Sequence, residues 1–345
     1  MLTGKVEVQQ VIYSKALKTG IKAASASRDL LQLQTFQTTE ELVYTIAQSY
    51  LQINLTEKQA GILEANLTRI TKLMDIAQIQ FEEGLAKKVD ISQLKVNKTN
   101  LETELQNLKI GLNQQKNYLK FLMGLTPDKV LNIEPLNLEE SSYPLTTNLI
   151  LEENTTLQLL NKQVELTQFE EENIMAGYYP TVAAFGNFGW QGQTDKLFSS
   201  DDAYNVQGST TGVLGLSLNV PIFDGFQKKN QLEQLKVRQS QYQLDKSYLK
   251  NSIALEFANA NETLTQNKIV LQTQDLNMKL AEELYDVAKL SYQEGIAPLT
   301  ELLNAETSLK EAQTQYITAL LNLKLAELDH LKSSGQLAKL IKNGQ

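Results

Sequence analysis

Cysteine is absent from the 345-residue chain, and histidine occurs only once. The lack of cysteine excludes disulfides and thiolate metal sites. A single histidine leaves almost no material for a histidine-based zinc site or a catalytic triad. Apolar runs are short as well, since none approaches the roughly 18 residues of a membrane helix. Any insertion into a membrane would therefore use β-strands, whose alternating pattern is lost in hydropathy averages.

Blocks of charge of one sign are also missing. The net charge is −8, and the acidic and basic residues are interspersed, which argues against a nucleic-acid-binding surface. The sequence contains no glycine-rich phosphate loop, no G-x-S-x-G motif and no metal-ligand cluster. We therefore expect a protein that is not an enzyme, holds no cofactor or metal, and has no nucleic-acid partner.

The strongest positive signal is an internal duplication. The segment Asp75–Gly84 recurs in type as Asp286–Gly295, at an offset of 286 − 75 = 211 residues. Self-similarity over such a distance indicates two copies of one structural plan. We predict a first repeat over residues 1–144 and a second over residues 145–345.

Within each repeat, apolar residues recur with the 4-3 spacing of an a/d seam. They are Leu63, Leu67, Ile70, Met74, Ala77 and Phe81 in the first repeat, and Ala305, Leu309, Ala312, Tyr316, Ala319, Leu323 and Ala326 in the second. A helix of about 50 residues, spanning about 80 Å, fits the proline-free stretch that ends at Gly84. Because such a helix cannot bury its stripe alone, we expect antiparallel helical hairpins at about 22–122 and 225–332. Their tips should lie near residues 84–90 and 295–301.

The segments outside the long hairpins have a different texture. Pro127, Pro135 and Pro144 predict an irregular segment over residues 123–144. A residual strand is expected at about 4–13, a helix at about 148–176, a strand hairpin at about 178–223, and a tail after residue 332. The fold class is therefore mainly α with a small β part.

The second strand of the predicted hairpin carries one uniformly aliphatic face. Its members are Leu214, Leu216, Leu218, Val220 and Ile222, and small or polar residues alternate with them. This alternation is typical of a strand with one side in lipid and the other in water. The alternative is a hairpin of a soluble sandwich whose apolar face is covered by a helix.

The order of these elements resembles the TolC or outer-membrane-factor family. The resemblance covers nearly the whole chain and rests on Phe81-Glu-Glu-Gly84 followed by Asp90, Ala176-Gly-Tyr-Tyr-Pro180, Val220-Pro-Ile-Phe-Asp-Gly225, and Tyr292-Gln-Glu-Gly295 followed by Leu302-Leu303-Asn304-Ala305. It implies a homotrimer in the cell outer membrane. Each chain would give strands to a shared transmembrane β-barrel and long helices to a periplasmic tunnel.

The resemblance also implies a function and its partners. The chain would be the outer-membrane exit duct of a tripartite efflux pump or a type I secretion system, contacting lipid and conducting passively. A periplasmic adaptor protein would dock on the tips, at Gly84, Leu85, Gly295 and Ile296, and would couple the duct indirectly to an inner-membrane pump.

Carried over by position, the periplasmic gate would comprise Asp90, Tyr292, Glu301 and Asn304. The arginine of the family gate would fall at Ala297, so that charge-assisted contact is missing here. A simpler interpretation is that Asp90 and Glu301 are the first acids of helices that restart after a glycine turn.

The sequence departs from the family pattern at its start. Roughly 65 residues of the first repeat, with its first strand and any signal peptide, lack a counterpart at the repeat offset. We therefore expect this chain to be a fragment or a mis-started reading frame with three strands in place of four. The competing functions are a soluble coiled-coil scaffold or spacer and a periplasmic adaptor, which has only one helical hairpin.

Overall fold

A computed structural model describes residues 2–84, 86–136, 148–193 and 207–343. Its elements, in chain order, are β1 (Leu2–Tyr13), α1 (Lys15–Glu82), α2 (Lys88–Leu122), a 3₁₀ turn (Leu151–Glu153), α3 (Thr155–Ala176), β2 (Thr181–Gln193), β3 (Gln207–Asn219), α4 (Gln227–Gln293), α5 (Leu299–Ser333) and α6 (Gln336–Asn343). The predicted fold class, long helices with a small antiparallel sheet, is confirmed. Within the described ranges, no helix is long and apolar enough to cross a membrane.

The boundaries of the long helices repeat along the chain. The ends of α1 and α4 differ by 293 − 82 = 211 residues, and the starts of α2 and α5 differ by 299 − 88 = 211. The helices of each pair are also nearly equal in length, with 68 and 67 residues in one pair and 35 in each member of the other. Structure and sequence therefore share one offset, as expected of a tandem repeat. The boundary between residues 144 and 145 stays a prediction.

Three elements differ from expectation at their ends. Helix α1 begins at Lys15, seven residues before the predicted start near residue 22 (22 − 15 = 7). Helix α6 occupies most of the predicted C-terminal tail. Strand β3 ends at Asn219. The prediction that Val220 and Ile222 belong to this strand is therefore wrong. The reason is Pro221, which lacks the backbone N–H that a ladder needs. Of the predicted irregular segment, residues 137–144 lie outside the described residues.

One compact unit comprises Met1–Thr35 and Thr156–Leu249 and contains the sheet. The strand order is β1-β2-β3, and both pairings are antiparallel. Val8 lies opposite Gly186, which in turn lies opposite Leu214. Because side chains alternate across a strand, this register places Val8 of β1 on the same face as Leu214, Leu216 and Leu218 of β3.

The second compact unit comprises Phe36–Thr155 and Lys250–Gln345. Its main core draws on α1, α2, α4 and α5, and the buried members include Leu63, Ile70, Ala77, Leu94, Leu101, Leu105, Tyr285, Tyr292, Leu302, Ala305 and Leu309. Five of these eleven residues belong to the predicted seams, namely Leu63, Ile70, Ala77, Ala305 and Leu309. The apolar stripes of the two hairpins therefore pack against each other in this main core, and smaller clusters at Leu55 and at Leu323 continue the packing.

Paired surface charges accompany this packing along the first hairpin. Lys109 Nζ lies 2.8 Å from Glu64 Oε1, and Lys116 Nζ lies 2.6 Å from Glu57 Oε1. The first pair is exposed and the second is half-buried, and ion pairs at a protein surface contribute only about 0–1 kcal/mol each. The core, not the charge pairs, therefore supplies most of the stability of the hairpin.

Two glycines allow a test of how helix interior and helix end differ. Gly61 lies inside α1 and Gly295 follows α4 with a φ of +70°, and an added Cβ would meet no atom within 4 Å at either position. Gly61→Ala should stabilise the protein by about 0.5–1 kcal/mol, because alanine loses less backbone entropy in a helix. Gly295→Ala should destabilise it by about 1–2 kcal/mol, because a Cβ strains left-handed backbone.

Chemical denaturation followed by the helical circular dichroism signal measures both effects on the free energy of unfolding. A change of the same sign in the two variants would contradict this interpretation of the tip.

Candidate functional site

Helix α4 ends in a glycine turn with a complete set of capping hydrogen bonds. Gly295 N donates to Tyr292 O at 3.1 Å, and Ile296 N donates to Ser291 O at 2.8 Å. These two bonds and the positive φ of Gly295 define a Schellman motif. The chain therefore reverses within a few residues, and the Ile296 side chain is left exposed.

The tip of the first hairpin is built in the same way. Gly84 has a φ of +78°, and its N–H donates to Phe81 O at 3.0 Å. Leu85, the fourth residue predicted to form the docking tips, lies outside the described residues. Gly84, Gly295 and Ile296 are all exposed at helix ends, and their role in docking stays a prediction.

Two acids stand at the starts of the returning helices. Asp90 Oδ2 accepts a hydrogen bond of 3.0 Å from Lys87 N at the start of α2. Glu301 lies in the first turn of α5, at the equivalent repeat position because 301 − 90 = 211. Carboxylates at these positions offset the positive end of the helix dipole. The structure thus gives both acids a helix-starting role, and their role in a gate stays a prediction.

Tyr292 lies in the core beneath the second tip and is only 6% exposed. Its hydroxyl is buried and has no hydrogen-bond partner among the described residues. Burial raises the pKa of the Tyr292 phenol, and the negative charge of Asp90 raises it further. The negative charge of Asp90 therefore acts on the buried phenol of Tyr292 and raises its pKa.

The other two predicted gate residues face away from this core. Glu301 and Asn304 are exposed on α5, whereas their neighbours Leu302 and Ala305 are buried. Within one chain, Glu301 and Asn304 therefore lie on the exposed face of α5 and not on the face that packs into the core with Tyr292 of α4.

A cluster of buried polar groups lies further from the tip and was not predicted. Asn66 and Arg69 of α1 are joined by a hydrogen bond from Arg69 Nη2 to Asn66 Oδ1. The Arg69 guanidinium lies over the Tyr285 ring, 5.4 Å from its centroid. Glu306 of α5 is buried nearby, and burial raises the pKa of its carboxyl to about 7, although Arg69 and Lys310 act in the opposite direction.

A salt bridge in this region also links the two hairpins. Lys310 Nζ of α5 donates to Glu104 Oε2 of α2 at 2.6 Å. The heptad pattern contains a signal for Glu306, because it follows the seam residue Ala305 and so occupies an e position beside the partner helix. Sequence spacing alone gives no such signal for Lys310 and Glu104, which lie 206 residues apart.

A second candidate site is the apolar face of the sheet. Leu214, Leu216 and Leu218 of β3 are 91%, 73% and 66% exposed. Val8 of β1 and Phe188 of β2 lie on the same face by register and are also exposed. The predicted aliphatic face is therefore present, and it extends over all three strands.

Aromatic side chains gather at one end of this sheet. Tyr13 ends β1, Tyr178 and Tyr179 precede β2, and Phe223 and Phe226 follow β3. All five are exposed, and the antiparallel register brings these strand ends to one edge. Rings at the edge of an apolar band are typical of a membrane–water interface.

Lysines accompany these rings. Lys15 Nζ lies 3.7 Å from the centroid of the Tyr179 ring, and Lys228 Nζ lies 5.1 Å from that of Tyr178. A cation at these distances is attracted to the face of the ring. The edge therefore combines apolar surface with positive charge, as at the level of lipid headgroups.

The fold is that of outer-membrane channel protomers. The solved structure of the outer membrane protein VceC from Vibrio cholerae aligns with a TM-score of 0.72 at 17% identity, covering 97% of this chain and 86% of VceC. The CmeC outer membrane channel of Campylobacter jejuni aligns with a TM-score of 0.76 at 13% identity, covering 99% of this chain and 80% of CmeC. At these identities the likeness establishes the fold alone.

Sequence comparison supplies the family. The alkaline protease secretion protein AprF of Pseudomonas aeruginosa is 22% identical over 331 residues, which cover 93% of this chain and 64% of AprF. The chain thus spans about two thirds of the length of that relative. A family profile described as "Outer membrane efflux protein" matches residues 146–335, more than half of the chain. The chain belongs to this family, which confirms the resemblance and the expected location in the outer membrane.

The proximity of Asp90 and Tyr292 can be tested by titration. Asp90→Asn removes a negative charge that opposes ionisation of the phenol, so the pKa of Tyr292 should fall. Ultraviolet difference titration of tyrosinate measures this pKa, with Tyr292→Phe subtracted to isolate its signal from those of the other tyrosines. An unchanged pKa would show that the two side chains do not interact.

Proposed function

We propose that the chain is one protomer of a trimeric outer-membrane exit duct that conducts cargo passively and catalyses no reaction. The observation that carries this proposal is the exposed apolar face of the sheet at Leu214, Leu216 and Leu218. A face of this kind is stable in lipid, and its opposite face is mainly small and polar. Membership of a family of outer membrane efflux proteins supports the same function.

The sheet also supplies a reason for assembly. Among the described strands, β1 and β3 each pair on one side only. Unpaired backbone groups cost several kcal/mol each in lipid, so an open edge is not viable there. Closure of the sheet with strands of sister chains satisfies these groups, and three chains is the number that the family resemblance implies.

A stripe on α4 provides a matching contact for sister chains outside the membrane. Its members are exposed apolar residues at helical spacing, namely Ile269, Leu276, Leu280, Leu284, Val287 and Leu290. At 100° per residue they fall within a sector about 120° wide. The inner core of the unit does not cover this stripe, so a second copy of the chain is the occupant we propose for it.

The two tips are the proposed docking surface for a periplasmic adaptor protein. Each tip is a tight glycine turn, and the exposed Ile296 side chain lies at the second. Energy for transport would come from an inner-membrane pump through this adaptor. The name of AprF refers to protease secretion, whereas the family name refers to efflux, so the proposed duct would carry one or the other kind of cargo.

Gating is proposed to occur at the end of the second hairpin. Tyr292 is buried in the core there, where the charge of Asp90 of the neighbouring hairpin acts on its phenol, while Glu301 and Asn304 face outward where sister chains would meet. With Ala297 in place of the family arginine, the Lys310–Glu104 contact and the Arg69 guanidinium over the Tyr285 ring are charged links between the hairpins. Separation of the second hairpin from the first would open the duct.

The soluble coiled-coil scaffold accounts for the long hairpins but not for the sheet. A spacer rod gives no reason to keep Leu214, Leu216 and Leu218 in one exposed row. The membrane duct is therefore the better proposal.

A pair of adjacent substitutions tests the membrane face. Leu216→Lys puts a charge on the apolar face and should cost about 2–4 kcal/mol near the middle of the membrane. Ser217→Lys is the matched control, because its side chain lies on the opposite face of the same strand. Recovery in outer-membrane fractions should fall several-fold for Leu216→Lys only, and equal recovery of the two variants would exclude the lipid-facing assignment.

A second pair tests the gate. Tyr292→Ala removes a buried ring from beneath the second tip and should raise single-channel conductance in planar bilayers. Phe81→Ala changes the equivalent residue of the first repeat, which is 40% exposed, and should leave the conductance close to that of the wild type. If neither variant differs from the wild type, the gate does not lie at this position.

A further inference from the structure

Three buried polar atoms near the junction of the hairpins have no hydrogen-bond partner among the described residues. They are Oε1 of Glu306, Nδ2 of Asn66 and Nε of Arg69. Glu306 is 7% exposed and Asn66 is 1% exposed. Leaving such groups unpaired in the folded state costs free energy, so the cluster is not explained by stability.

The cluster borders a cleft of about 200 Å³ in the second compact unit. Asn66 and Glu306 line it together with Asn97, Asn100 and Glu104. The walls therefore come from α1, α2 and α5. A cleft with polar walls and this volume can admit water, which would hydrate the Glu306 side chain when it is ionised.

Charged and titratable groups face Glu306 from each neighbouring helix. They are Arg69 of α1, Glu104 of α2, Tyr285 of α4, and Lys310 and Glu311 of α5. Lys310 is already paired with Glu104. Within the described part of the chain, no cation lies within 4.0 Å of the Glu306 carboxylate as an ion pair.

An ionised carboxylate in this position would be buried and poorly compensated. Burying a charge without close pairing is costly, and the usual escape is neutralisation by a proton. The partial compensation from Arg69 and Lys310 is smaller than the cost of burial, which is why the pKa of the Glu306 carboxyl is raised to about 7.

We propose that Glu306 is a proton-binding site that controls how tightly the second hairpin packs on the first. With the proton bound, the side chain is a neutral acid and α5 stays packed against α1. When the proton is lost, the carboxylate draws water into the cleft and α5 loosens. The inference goes beyond the proposed function and does not depend on it, because it concerns the packing of one chain.

The direction of the effect follows from linkage. In an opened junction the Glu306 carboxyl has its ordinary pKa of 4.5, whereas in the packed junction the pKa is about 7. The packed state therefore binds the proton more tightly. Packing is strongest below the lower value and weakens as pH rises through this window.

Hydrogen–deuterium exchange of the full chain in detergent tests this proposal. Exchange at residues 299–312, divided by the rate of unstructured amides at the same pH, reports the opening of α5. In the wild type this opening should increase by more than about tenfold between pH 5 and pH 8. Glu306→Gln, a neutral mimic of the protonated acid, should abolish most of the increase.

Glu102→Gln is the matched control, because Glu102 is an exposed carboxylate on α2 that pairs with Lys98. This variant should keep the wild-type pH response. The proposal is overturned if Glu306→Gln responds to pH like the wild type, or if the wild type shows no response.

Infrared difference spectroscopy gives a second readout that a purely structural role would not change. The band of protonated carboxylic acid that is lost between pH 6 and pH 8 should be larger in the wild type than in Glu306→Gln by about one carboxyl group, because carboxyls of ordinary pKa contribute equally to both spectra. A loss of equal size in the two proteins would assign the proton to another group and overturn the proposal. Bilayer conductance is not used in either test, so the proposed duct can fail while the proton site stands, and the reverse.

Discussion

The narrow apolar stripe of a very long helix is the constraint on which this molecule depends. A helix of 68 residues carries its stripe along its whole length and cannot cover it by folding back on itself. In the second compact unit, part of the stripe is buried where α1, α2, α4 and α5 pack around Ile70, Leu302 and Leu309. The stripe on α4 and the apolar face of the sheet remain exposed in one chain. The sister chains and the lipid that we propose to cover these surfaces would thus meet the same physical need as the packing of the hairpins.

Periodicity made the helical part of the fold predictable. The seam from Leu63 to Ala77 and the seam from Ala305 to Ala326 are largely buried, because a 4-3 spacing admits one packing face and no other. Gly84 and Gly295 were predictable as helix ends, since a Schellman turn requires a left-handed residue. The aliphatic row at Leu214 was equally predictable, because an alternation with a period of two residues assigns side chains to the two faces of a strand. The prediction of this aliphatic row failed past Asn219, because the alternation continues in the sequence although Pro221 ends the hydrogen-bonded strand.

The environment of single residues was far less predictable. Phe81 and Tyr292 occupy the same repeat position, yet one is exposed and the other is in the core. No local pattern distinguishes them, because burial depends on which hairpin packs over the tip. Glu306 and Arg69 were missed for a related reason. Their environment depends on the packing of two helices whose residues are more than 200 positions apart in the chain (306 − 69 = 237), and a single sequence does not reveal that packing.

The capped glycine turns have a consequence for how such a chain can change in length over evolutionary time. The end of α1 is fixed by Gly84 and that of α4 by Gly295, and both helices keep a seam in register with their neighbours. Loss of a single residue would rotate everything beyond it by about 100° and turn the seam toward water. Insertions and deletions of seven residues, about 10 Å of helix, nearly restore the register. Descendants should therefore differ in rod length by heptads, gained or lost in both repeats together, which is consistent with the near-identical lengths of α1 and α4.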